Sequence, residues 1–115
     1  MDIINFDDFS KLKIRVGKII DAETVTGSNK LIKMKIDIGD EERQIVAGIA
    51  KYYSLEDLVD KTVIVLVNLE PRKIFGVESQ GMLLASINGD KVSLLQTDNE
   101  MNAGSKFTKT ITVLS

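Results

Sequence analysis

Lys30-Leu31-Ile32-Lys33-Met34-Lys35-Ile36-Asp37-Ile38 alternates without interruption, with Ile32, Met34, Ile36 and Ile38 on one face and Leu31, Lys33, Lys35 and Asp37 on the other. Successive side chains of a strand point to opposite sides, so a period of two marks a strand with one buried face. Gly39-Asp40 then reverses the chain into Arg43–Ala47 and predicts an antiparallel hairpin.

Working upstream, Leu12, Ile14 and Val16 alternate with Lys13 and Arg15. Gly17 interrupts, and apolar residues resume out of phase at Ile19 and Ile20, which predicts a bulge at the glycine. Downstream, Ser54-Leu55-Glu56-Asp57 resembles a capping box opening a short helix that ends near Asp60-Lys61. Thr62–Asn68 is nearly all apolar and reads as a strand buried on both faces, and Glu70–Gly81 reads as a loop. Met82–Ile87 and Lys91–Leu95 flank Asn88-Gly89, the signal of a type I′ turn, and Thr108–Leu114 reads as a last strand.

Three strands, a short helix, a strand, a loop, a hairpin and a terminal strand define a mainly all-β chain. A helix between strands three and four of a five-stranded barrel is the OB-fold arrangement, here with extra C-terminal strands. Residues 1–115 fit one domain of common size. Such barrels commonly bind nucleic acid on the face of strands two and three and on adjoining loops, where Lys33 and Lys35 fall.

Composition narrows the chemistry. The chain has no cysteine and no histidine, so thiolate metal sites and Ser-His-Asp or Cys-His catalysis are excluded. No cofactor is expected, and no convergent acid–base pair suggests an enzyme. Met1–Asn5 has no basic region or signal-length apolar run, and nothing approaches a membrane span, so the expected compartment is the cytoplasm. The net charge of −2 does not announce a nucleic-acid binder. Electrostatic binding depends on local charge, however, and Lys11, Lys13, Arg15, Lys18, Lys30, Lys33 and Lys35 are concentrated at the start of the chain. A basic face on an acidic protein is therefore expected.

The segment Asn68-Leu69-Glu70-Pro71-Arg72-Lys73-Ile74-Phe75-Gly76-Val77-Glu78-Ser79-Gln80-Gly81-Met82-Leu83-Leu84-Ala85 resembles the N-L-x-P-x-K-x-x-G-x-x-S-x-G-M-x-L pattern of the tRNA-binding domain family. Ile14–Ile19, Lys30-Leu31, Ile45–Ile49 and Gly104-Ser105 extend the resemblance over about residues 8–110. Two departures stand out: Thr26-Gly27-Ser28-Asn29 replaces a His-Pro-x-Ala-like stretch, and Ala103 replaces a proline. The family includes stand-alone proteins and the C-terminal domain or beta subunit of methionyl-tRNA synthetases. The resemblance implies a non-catalytic protein that binds folded tRNA, alone or beside a synthetase catalytic subunit. Free-standing members are typically homodimers, and an interface near the N-terminus and the Thr108–Leu114 strand is expected.

The resemblance aligns Lys30, Ser79 and Met82 with tRNA-contact positions. Arg72 and Lys73 add adjacent cations in the motif, and Lys33 lies on the customary barrel face. Asn68 is expected chiefly to organise the loop through side-chain bonds to backbone. Ser79 offers a hydroxyl for phosphate or ribose, and Met82 a polarisable surface for a base or sugar. Tyr52, Tyr53 and Phe75 are candidate stacking residues, with Tyr52-Tyr53 read first as seating the helix on the barrel. Strand two exposes no aromatic residue, which suits a folded RNA read by shape better than a single strand read by stacking. The competing expectation is a dimeric, chaperone-like OB module that binds polypeptides.

Overall fold

The computed structural model describes residues 1–107. It contains α1 (Phe6–Ser10), β1 (Ile14–Thr24), β2 (Ile32–Asp37), β3 (Glu42–Ala47), α2 (Leu55–Leu58), β4 (Thr62–Leu66), β5 (Arg72–Ile74), β6 (Val77–Ser79), β7 (Met82–Leu83), β8 (Ala85–Asn88) and β9 (Lys91–Leu94). The main sheet runs β3-β2-β1-β4-β7, with β5-β6 and β8-β9 as separate hairpins. The expected OB-like barrel, with its helix between β3 and β4, is the observed fold.

The alternation in β2 places Ile32, Met34 and Ile36 in the core, with Ile38 just beyond the strand. Ile19, Ile45, Val63 and Val65 pack with them, and Leu58 of α2 is fully buried in the same cluster. Ser54 caps α2 by accepting the Asp57 backbone N–H, as its sequence anticipates. Both faces of β4 are covered: Val63 and Val65 point into the core, while Ile64 and its cross-strand partner Val16 are buried outside that cluster.

β1 bends elsewhere than expected. Its register against β2 slips between Ile19 and Asp21, so the bulged residue is Ile20, not Gly17. Gly17 lies inside the barrel, where a Cβ would meet Ile36 Cγ2 at 2.7 Å and Val65 Cγ2 at 3.0 Å. It permits close packing between neighbouring strands. The change of phase at Gly17 arises because Val16 faces outward and is nonetheless buried, with its backbone bonded to Gly104 and Ser105.

Other elements also depart from the sequence reading. The Glu70–Gly81 stretch folds as the β5–β6 hairpin, with Phe75 (φ +56°) and Gly76 (φ +79°) as its two turn residues. In the later hairpin Asn88 pairs with Lys91, so the turn residues are Gly89 and Asp90. Gly89 is the one with positive φ, the type II′ pattern instead of type I′. The Met82–Ile87 strand is broken at Leu84, whose N–H donates to the Ile64 carbonyl. Leu12 precedes β1 and is exposed, and α1, capped by Asn5 on the Asp8 N–H, adds a helix that the sequence pattern does not predict. The expected Thr108–Leu114 strand lies outside the described residues.

Candidate nucleic-acid interface

The barrel closes between β3 and β6–β7 through side-chain bonds and one backbone bond. Ser79 Oγ accepts the Val46 N–H at 3.0 Å and donates to the Gly81 carbonyl at 3.1 Å. The Gln80 N–H donates to the Gln44 carbonyl, and its side chain accepts the Gln44 N–H. Arg43, paired with Glu41, turns its Nη1 onto the Val67 and Gln80 carbonyls at 2.8 and 3.0 Å. Gly81, with φ +143°, lies so near the Leu66 carbonyl that a Cβ would stand 3.0 Å away. The Ser79-Gln80-Gly81 part of the motif is therefore a seam that satisfies strand-edge groups left without a regular ladder.

This seam changes the reading of Ser79. Its side chain is buried and both hydroxyl bonds are internal, so it positions the hairpin and Gly81 instead of presenting a free hydroxyl. Asn68 bonds backbone through its side chain as expected, but to the segment ahead of β1 instead of the motif loop. Its Oδ1 accepts the Lys13 N–H at 2.9 Å and its Nδ2 donates to the Lys11 carbonyl.

Arg72, Ser79 and Met82 line one hollow of about 240 Å³, together with Gly48, Leu69 and Ile74. Met82 is exposed at its edge, and Arg72 and Lys73 are exposed on β5. Lys73 stands opposite Glu78 in the hairpin, but no ion pair joins them. Lys30 is exposed just before β2, its carbonyl accepting the Ala50 N–H and its N–H donating to Ser28 Oγ. Its neighbour Leu31 lies near Gly48, with 4.0 Å between Leu31 Cδ2 and a Cβ built there, but Lys30 is not among the residues that line the hollow. Lys30, Arg72 and Lys73 have no ion-pair partner among the described residues.

Lys33 stands apart electrostatically. Its Nζ lies 2.6 Å from Glu23 Oε1 on β1, and the register sets Asp21 opposite Lys35 and Glu42 opposite Asp37. The expected basic face of strands two and three is instead a mixed-charge surface. The acids come from β1, the last residue of β2 and the first of β3, and sequence distance concealed the proximity of Glu23 and Asp21 to the lysines. Lys30, Arg72 and Lys73 lack an ion-pair partner, as do Lys13, Arg15, Lys18 and Lys35 among the described residues. Of the candidate stacking residues, Tyr53 accepts the Leu94 N–H and lies under Lys61 Nζ, whereas Phe75 remains largely exposed.

An OB-type barrel with a motif-bearing hairpin sealing its seam is the class of module that this geometry defines. Residues 14–106 match the family model described as Putative tRNA binding domain. The chain is 54% identical over 107 residues to a methionine–tRNA ligase of Caldanaerobacter subterraneus, covering 93% of this chain and 17% of the ligase. It is 58% identical to that of Methanothrix thermoacetophila, covering 89% of this chain and 15% of the ligase. The chain thus spans less than a fifth of these relatives.

Among solved structures, a MetRS related protein from Pyrococcus horikoshii superposes with a TM-score of 0.87 at 41% identity, covering 94% of this chain and all of that one. The chaperone CsaA of Bacillus anthracis gives 0.84 at 31% identity, covering 93% and all of that chain. The chain belongs to the tRNA-binding domain family.

Proposed function

We propose that this protein docks onto folded tRNA, reading its shape and phosphates with the Lys30, Arg72, Lys73 and Met82 side of the barrel. The observation that carries this reading is one partly apolar hollow built from the family motif and lined by the exposed Arg72 and Met82, with the exposed Lys73 next to Arg72 on β5. Arg72 and Lys73 on the β5–β6 hairpin attract phosphate, while Met82 and Leu69 offer apolar contact to sugar or base. Lys33 makes a smaller contribution because Glu23 already neutralises it. Ser79 and Asn68 act by positioning, through the bonds described above.

The domain adds tRNA affinity, alone or beside a methionyl-tRNA synthetase catalytic subunit, and is not itself the catalyst. We read it as a cytoplasmic homodimer. Among the described residues no helix is long and apolar enough to cross a membrane. Salt-dependent gel shifts with whole tRNA, a single-stranded RNA of equal length and an unfolded polypeptide test the reading. Preferential, salt-sensitive retention of tRNA supports it. The likeness to CsaA chaperones favours a polypeptide ligand as the second reading, and binding of the polypeptide alone would establish that instead.

A further inference from the structure

We infer that Phe75 is a stacking platform for one unpaired base of the bound RNA, an inference that rests on the tRNA-binding reading and assigns it a second contact. The turn Phe75-Gly76 has positive φ at both residues, the type I′ geometry in which the first position is ordinarily Asn, Asp or Gly. A phenylalanine at φ +56° is strained, because its Cβ crowds the backbone there. Core burial does not explain its use, since the side chain is 62% exposed. An unfavourable backbone state at an exposed aromatic residue points to a contact outside the chain.

The surroundings suit a base. Phe75 and Val77 line a hollow of about 350 Å³ with Thr24, Thr26, Lys33 and Glu23. The Lys33–Glu23 pair leaves that hollow without an uncompensated charge, so a neutral heterocycle fits it better than a phosphate does. The threonines provide hydroxyls at its rim, and Val77 an apolar wall. On the other side, a Cβ on Gly27 would lie 3.2 Å from Phe75 Cε2. The divergent loop therefore leaves room for the ring and limits its movement. Its partner is a base made accessible by RNA folding, not a continuous strand, because no second exposed aromatic lines this hollow.

The test uses the full chain with Phe75→Asn and Phe75→Trp. Asn is at home at this turn position, so Phe75→Asn should melt no lower than the parent. It should bind tRNA about five- to a hundredfold more weakly, the range expected for losing one stacked base. Its affinity for a blunt RNA duplex without unpaired bases should not change. The chain has no tryptophan, so Phe75→Trp introduces a single reporter whose emission tRNA should quench. Parental tRNA affinity in Phe75→Asn overturns the stacking assignment and leaves tRNA binding intact. Unchanged emission from tRNA-saturated Phe75→Trp, or quenching by an unfolded polypeptide alone, also overturns it. If Phe75→Asn fails to fold, the emission test decides. A parent chain that does not bind tRNA removes the underlying reading itself.

Discussion

Gly104 lies directly against Gly39: a Cβ built on Gly104 would stand 2.9 Å from Gly39 Cα and 2.8 Å from the Ile38 carbonyl oxygen. Both glycines have positive φ, +104° for Gly39 and +90° for Gly104. Their contact docks the segment after β9 onto the β2–β3 turn, and Ser105 and Gly104 then bond the backbone of Val16. Gly104→Ala should destabilise the fold by about 1–2 kcal/mol through its backbone conformation and by about 1–3 more through overpacking. Gly89→Ala, which meets nothing within 4 Å, should show about 1–2 kcal/mol from conformation alone. Urea unfolding of both variants checks this, and equal losses would show that the backbone approach is unimportant.

Ser79→Ala should lower stability by about 1–3 kcal/mol, because it removes the partner of the buried Val46 N–H. Any loss of RNA affinity should follow that destabilisation and fade when the variant is fully folded at low temperature. Unfolding curves measured alongside binding separate the two effects. Parental stability with weakened binding would restore Ser79 as a direct contact.

Charge compensation makes the lysines unequal. Lys73→Ala should weaken tRNA binding and make the slope of log K against log salt shallower by about 0.7–0.9, because one phosphate fewer is neutralised. Glu23→Gln should act in the opposite direction, strengthening binding by about two- to fivefold, since it releases Lys33 from an exposed ion pair of modest strength. Filter-binding titrations across a salt series give both slopes. Glu23→Gln without gain would mean that the β2 face stays clear of phosphate.

The N-terminal region gives a test of assembly. Ile3, Phe9, Leu12 and Phe107 are exposed, and Phe9, Leu12 and Phe107 line one hollow beside the start of β1. Apolar surface of this kind is ordinarily covered. Light scattering should give twice the 12.7 kDa chain mass, and Phe9→Asp should shift the population toward single chains with the barrel intact. A parent mass of 12.7 kDa excludes the dimer, and an unaffected Phe9→Asp dimer moves the interface elsewhere.

The barrel was readable along the chain because its strongest signals are local. The uninterrupted alternation of Lys30–Ile38, the Ser54 cap and the apolar Thr62–Asn68 run each follow from the geometry of one element, so they survive without knowledge of neighbours. The family motif was equally legible as a string of residue types. Its physical roles were not. Ser79 became internal because its side chain joins β6 to β3, and Lys33 became ion-paired because register brings Glu23 beside it. Gly17, read as a bend, proved a packing contact, while Ile20 carries the bulge. Sequence alone determined the main barrel strands and which family the chain resembles, since periodicity and motif are properties of adjacent positions, but not the β5–β6 hairpin or the break at Leu84. Tertiary structure decided which cations keep their charge free, which hydroxyl is already bonded and which aromatic faces solvent, because burial and pairing depend on residues that folding brings together from far along the chain.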